Sequence, residues 1–170
     1  LDAMGIDAQP AVWDEPGVDW AAYDLVVVRS TWDYTWRRDD FLDWAASVPA
    51  LLNPGAVLAW NTDKRYLAEL ASAGVPVVPT TFVAPDEEYD VPAGEHVVKP
   101  TISAGSRDTR RFAAGEDSRG HAERLLSAGR TVMVQPYQAA VDEAGETAVI
   151  SFAGVHSHAA RKGPVLVPEL

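Results

Sequence analysis

The arrangement in this chain best suited to chemistry is a lysine at the end of an apolar run, followed at once by small residues: Val97, Val98, Lys99, Pro100, Thr101, Ile102, Ser103, Ala104, Gly105 and Ser106. A short apolar run predicts a buried strand, and a flexible turn beside it brings backbone N–H groups and one cation together. A polyphosphate requires that combination. The same segment also reads as an ordinary surface lysine before a turn opened by proline, and the rest of the chain has to separate the two. Further on, His156 and His158 alternate by two, which on a strand puts them on one face. Such a pair could ligate a metal, but with no third ligand in view a surface or substrate-side role is the better reading.

Composition narrows the classes of function. With 47% hydrophobic and 23% charged residues among 170, the chain is expected to fold around a packed core, as one domain or two small ones. Its 25 acidic against 14 basic residues give a formal net charge of -11, which repels nucleic acid and anionic membranes. Cysteine is absent, so disulfides, thiolate metal sites and thiol nucleophiles are excluded. Nothing resembles a signal peptide or an apolar run of membrane-spanning length, and the expected location is cytoplasmic.

The elements that must position these residues alternate between strand and helix patterns. Ala11 to Trp13 can make a short strand, and the unbroken apolar run within Tyr23 to Ser30 suits a central parallel strand covered on both faces. Phe41, Leu42, Trp44, Ala45 and Val48 recur at helical spacing within Arg38 to Val48. Leu51 to Pro54 reads as a linker into a second unit. Asn61, Thr62 and Asp63 open a helix from about Lys64 to Ala73, with Gly74 as its stop. Val75 to Val83 is extended, its prolines suggesting a sheet edge, and Asp86 to Gly94 is an acidic connector. His96 to Lys99 returns as a strand, with Arg107 to Ala113 as its partner after the loop. A short helix, His121 to Ala128, a strand Thr131 to Gln135, and a hairpin of Glu146 to Phe152 with Val155 to His158 complete the series. The fold class expected is α/β passing into α+β.

Taken as an ordered set, the lysine strand, its small-residue loop, the strand into Gln135, Pro136 and Tyr137, and the later Glu146 resemble the ATP-grasp superfamily, in its glutathione synthetase-like branch. Arg29 to Tyr34, Trp60 to Tyr66 and Lys99 to Thr109 are similar in combination to the O-ureido-D-serine cyclo-ligases of cycloserine biosynthesis and their uncharacterised bacterial relatives. The resemblance implies a partial ATP-grasp fold. Residues 1–60 would be a substrate-side domain lacking its first strand and helix, 61–134 the first grasp subdomain, and 135–170 the truncated start of the second.

The resemblance also implies roles. Lys64 and Lys99 would face the ATP phosphates, where a compact charge on a flexible stem suits a moving anion. Lys64 otherwise reads as a solvated lysine in the first turn of a helix, poorly placed against the dipole. Ser103, Ala104, Gly105 and Ser106 would fold over the phosphates through backbone N–H groups and two hydroxyls. Neither a Walker A sequence nor a dinucleotide fingerprint is present. Gln135, Pro136, Tyr137 and Gln138 would form the hinge that reads the adenine edge, or else a strand simply ending at proline. Glu146 would take the ribose hydroxyls as a double acceptor, with Glu143 or Asp142 as fallbacks. Arg161, beside Lys162, would stand near the transferred phosphoryl group, or else be part of a basic pair on an exposed strand end.

Arg29, Ser30, Thr31, Trp32, Asp33 and Tyr34 lie just past the carboxyl end of the strongest strand pattern, where open α/β sheets place ligands. A small amino-acid-like substrate could bind there through its carboxylate and amine; Trp32 also reads as a core edge. Arg29 and Asp33 are harder to explain as packing.

Both ends read as interior to a longer protein, Leu1 to Ile6 like the tail of a helix and Gly163 to Leu170 without a finishing element. The family's Mg2+ ligands are acidic and asparagine side chains on late strands, expected here beyond residue 170, so none is assigned. The activity implied is that of an ADP-forming ligase that activates a carboxylate as an acyl-phosphate for attack by a nitrogen, within one molecule in the cyclo-ligases. A non-catalytic nucleotide or amino-acid binding domain and a peptide-modifying amino-acid ligase are the alternatives. The partner expected is a small molecule, with a second copy of the chain as a further candidate.

Overall fold

The computed structural model describes residues 2–163 and divides into two compact units, Leu1–Lys64 and Arg65–Leu170. The expected unfinished end at Pro164 to Leu170 lies outside the described residues, as does Leu1 of the expected helix tail.

In the first unit, β1 (Val26–Val27) pairs in parallel with β2 (Leu51–Leu52). The long apolar run therefore does not become a central strand covered on both faces. With a single neighbour it pairs over two residues only, and Leu25 and Val27 stay 55% and 56% exposed. The core gathers instead around α1 (Arg38–Ser47), whose Phe41 and Ala45 pack with Leu58 of α2 (Gly55–Asn61) and with Trp13. Trp13 meets Phe41 edge to face at 5.5 Å. Ala11 to Trp13 is consequently an aromatic anchor rather than the expected strand. The expected linker Leu51 to Pro54 supplies β2, and helix α2 follows it. A Cβ on Gly55 would stand 3.3 Å from the Ala45 carbonyl oxygen, so the missing side chain lets its first turn approach α1 closely.

In the second unit, α3 (Tyr66–Ser72) begins two residues later than expected, leaving Lys64 and Arg65 in the preceding turn. Four strands then form one antiparallel sheet: β3 (Thr81–Val83), β4 (His96–Pro100), β5 (Arg110–Phe112) and, after α4 (Arg119–Ser127), β6 (Val132–Pro136). Their order is β3-β6-β4-β5, with the proline-flanked strand at an edge as expected. Side chains alternate along a strand. Val83, Val98, Phe112, Val132 and Val134 thus share one face and bury against Ala122, Leu125 and Leu126 of α4. A short α5 (Ala140–Ala144), not anticipated, leads into the hairpin of β7 (Glu146–Phe152) and β8 (Val155–Lys162). No helix among the described residues is long and apolar enough to cross a membrane.

Candidate functional site

The sheet face turned away from α4 carries the lysine. Cross-strand register aligns Phe82, Met133 and Lys99 in one row and Gln135, Val97 and Arg111 in the next. Met133 and Val97 are buried and Lys99 is half-buried. Burial pushes the Lys99 ammonium below the ordinary lysine pKa, and the charge of Glu146, at the start of β7, acts in the opposite direction. A cation is thus held beside an apolar floor of Phe82 and Met133, where desolvation makes it costly. Gln135, its side chain donating to Thr80 Oγ1 at 2.8 Å, borders that floor.

The small-residue loop follows β4 directly. Thr101 N–H reaches the Thr131 carbonyl at 3.0 Å, which extends the β4–β6 pairing, before the chain turns. Gly105, Ser106 and Asp108 take φ of 61°, 56° and 55°, and the last two lack the glycine that this region favours. Each such residue costs roughly 1–2 kcal/mol unless its surroundings impose it. The expectation of two hydroxyl donors is corrected in one respect: Ser103 is buried, and its hydroxyl donates inward to the Pro100 carbonyl at 3.3 Å. At the far end of the loop Arg130 Nη1 meets Asp108 Oδ2 at 2.6 Å, and hydrogen bonding to Arg130 holds that carboxyl below its usual range.

The hinge residues lie where β6 ends. Tyr137 N–H donates to the Glu95 carbonyl at 3.0 Å, and the Arg111 guanidinium lies over the Tyr137 ring. Arg111 also pairs with Glu95 Oε1 at 2.7 Å and Asp142 Oδ2 at 3.0 Å, while the Tyr137 hydroxyl donates to Asp142. Hydrogen bonding from Tyr137 and then Arg111 keeps the Asp142 carboxyl low. Asp142, the ribose fallback, is engaged in this cluster, and Glu143 lies exposed on α5.

The hairpin separates residues that the sequence had grouped. Glu146 pairs with Lys162, and Thr147 with Arg161, so alternation puts Arg161 on the hairpin face opposite Glu146. A register shift leaves His158 opposite Ile150 but His156 opposite Ser151, two positions of alternate face. The shared face expected for the two histidines is not formed. Among the described residues no trio of His, Asp or Glu is grouped to hold a metal ion. Gly145, φ 68°, abuts the Lys162 carbonyl so closely that a Cβ would collide with it, which is what seats Glu146 at the hairpin base.

In the first unit, Arg29, Ser30 and Trp32 are exposed past the end of β1, Trp32 at 69%, so it is not a core edge. Ser30 takes φ 58°. Thr31 and Tyr34 are half-buried, and the Tyr34 ring packs on Phe41 at 5.6 Å. Asp33 accepts the Trp13 indole N–H at 3.1 Å and pairs with Arg37 at 3.2 Å. Of the six candidate residues, Arg29, Ser30 and Trp32 are therefore exposed, Thr31 is half-buried, and Asp33 and Tyr34 brace the turn. Lys64 is half-buried at the end of this unit, next to buried Asp63. Arg111, Arg130 and Thr80 carry no signal in the sequence, since a lone arginine or threonine beside a strand has no distinctive spacing.

A family model described as the N-terminal domain of D-cycloserine synthetase DcsG matches residues 1–53. The chain is 40% identical to the cycloserine biosynthesis protein DcsG of Streptomyces lavendulae, over 98% of this chain and 60% of that protein. It is similar to the crystal structure of D-cycloserine synthetase DcsG at TM-score 0.87 and 39% identity, over 98% of this chain and 61% of that one. The chain thus spans about three fifths of the relatives it matches. The cycloserine resemblance read from the sequence is met by both, and the fold is that of the solved synthetase over this span. A RimK domain ATP-grasp protein from Sphaerobacter thermophilus overlaps at TM-score 0.40 and 20% identity, over 60% of this chain and 42% of that one, too loosely to carry an argument.

Proposed function

We propose that this chain is the substrate-side and nucleotide-binding part of an ATP-dependent carboxylate-amine ligase that closes a ring, as the names of its relatives suggest. The observation that carries the reading is Lys99: a lysine held on a partly buried face, beside an apolar floor and a loop with positive-φ residues at Gly105, Ser106 and Asp108, is arranged for an anion joined to a flat apolar group. The adenine would lie along Phe82 near the Gln135 to Tyr137 hinge, and the phosphates between Lys99 and the Ser103 to Ser106 backbone. Glu146, on this side of the hairpin, would meet the ribose or the cation of Lys99. Arg161 lies on the other face of the hairpin and is not needed for this grouping.

In the chemistry proposed, a substrate carboxylate oxygen bonds to the γ-phosphorus as the bridging bond to ADP breaks. An amine-like nitrogen then attacks the acyl carbon, and phosphate leaves with the bonding pair. Lys99 spreads the charge that shifts between oxygens, and the loop N–H groups hold the nucleotide phosphates in place. Arg29, Ser30 and Thr31 would hold an amino-acid-like substrate. Mg2+ in such chemistry neutralises phosphate charge, and the described residues present no set of ligands for it. A cytoplasmic site of action belongs to the same reading.

The test is the full-length protein with ATP, Mg2+ and O-ureido-D-serine. Release of ADP and phosphate in step with a cyclic product is expected. Binding of that compound without ADP formation would overturn the ligase in favour of a non-catalytic binding domain.

A further inference from the structure

Arg130 grips the small-residue loop at both ends, and we propose that it is the positioning residue that keeps this loop in its phosphate-binding shape. Its Nη1 meets Asp108 Oδ2 at 2.6 Å where the loop ends, and its Nη2 donates to the Ile102 carbonyl at 3.2 Å where the loop begins. One planar guanidinium thus spans the turn from Ser103 to Arg107, a bridge that suits its fixed fork of donors. The inference rests on reading Ser103 to Ser106 as the phosphate loop.

The rest of the surroundings serve the same end. Asp108 also receives Arg124 Nη2 at 3.4 Å, and its backbone carbonyl accepts from His121 Nε2 at 3.0 Å. Both partners lie on α4, the helix buried against the opposite sheet face. The loop's closing residue is therefore anchored to the rigid part of the unit while its middle stays at the surface. Ser106 and Asp108 hold positive φ without being glycine, a conformation that persists when neighbouring contacts over-determine it. Arg130 stands just ahead of β6, so the strand that carries Met133 and Gln135 also sets the loop. Floor and loop are built on one element.

The brace predicts an effect on binding rather than turnover. In the full-length protein Arg130→Met should speed amide hydrogen exchange of residues 103–109 about tenfold or more while β4 and β6 exchange as before. The KM for ATP should rise on the order of 10- to 100-fold, as expected for losing a charge-assisted bond, with kcat little changed. Arg130→Lys, which keeps the charge without the fixed fork of donors, should fall between. Asp108→Asn should reproduce the Arg130→Met effect, and the double variant should be no worse than either single one. It also keeps the test open should Arg130→Met fold poorly. A nucleotide analogue that slows loop exchange in the parent, together with unchanged loop exchange and KM in Arg130→Met, would overturn the brace. An analogue that leaves the parent's loop exchange unaltered would instead overturn the phosphate reading on which the brace depends.

Discussion

The guanidinium carbon of Arg111 lies 3.5 Å from the centroid of the Tyr137 ring, so a residue of β5 covers a residue just past β6 although β4 runs between the two strands. The same guanidinium holds Glu95 at the entry to β4 and Asp142 on α5. It joins Tyr137 to the sheet on one side and to the approach of the hairpin on the other. Arg111→Met is expected to cost about 1–2 kcal/mol, the sum of one cation–π contact and two partly exposed ion pairs. Urea unfolding measures the loss, and hydrogen exchange should locate the loosening at residues 137–144.

Lys99 should prove a residue of binding and not of stability. Its pKa is lowered chiefly by burial, so between its folded value and about 10.5 the unfolded chain binds more protons and stability rises with pH. Below that window the cost of the charge is present in full. Lys99→Met is therefore expected to be at least as stable as the parent at neutral pH, with the difference shrinking as pH approaches 10.5. Nucleotide affinity, read by calorimetric titration with an ATP analogue and Mg2+, should fall about 10- to 100-fold. Equal affinity in the two proteins would remove the central support of the nucleotide reading.

His121 links the loop to acidity. Its Nε2–H donates to the Asp108 carbonyl, and its Nδ1 faces the Arg124 guanidinium at 3.2 Å. Burial lowers its pKa from 6.5, the bond to Asp108 opposes the shift, and Arg124 and Arg110 add to it, with the Asp108 charge a smaller opposing influence. The unfolded chain thus binds the proton first as pH falls from about 6.5, and stability declines through the window down to the folded pKa. Thermal unfolding at pH 7 and pH 5 should show a shallower acid loss in His121→Gln than in the parent.

Ser118 is buried between Tyr89 and His96. His96 Nδ1 lies 2.7 Å from the Gly94 carbonyl, which can only accept, so Nε2 must accept from Ser118 at 2.8 Å and Ser118 in turn from Tyr89 at 2.5 Å. Ser118→Ala breaks two bonds of this chain at once and is expected to cost roughly 1–3 kcal/mol. Tyr89→Phe, which leaves the serine bonded to the histidine, should cost less in the same denaturant series. A reversed ranking would show that Ser118 is not the shared link of this chain.

Much of the second unit was legible because its signals are local. The valines before Lys99, the apolar positions of α4 and the turn at Ala153 and Gly154 each state their element within a few residues. The first unit was less legible. The run through Val26 to Val28 has the composition of a central strand, but strand length depends on neighbours supplied from far along the chain, and among the described residues only Leu51 and Leu52 pair with it. Trp13 likewise reads as strand until Phe41 and Trp44 claim it.

The candidate site divides the same way. Residue order and type alone determined that Lys99 closes an apolar strand, that small residues follow it, and that the chain resembles a ring-closing ligase, because those features are properties of consecutive residues. Tertiary structure alone decided that Met133 and Phe82 share the lysine's row, that Glu146 and Arg161 part to opposite faces, and that Arg130 holds both ends of the loop. Register and side-chain reach across strands set these relationships, and neither is written in the spacing of any one segment.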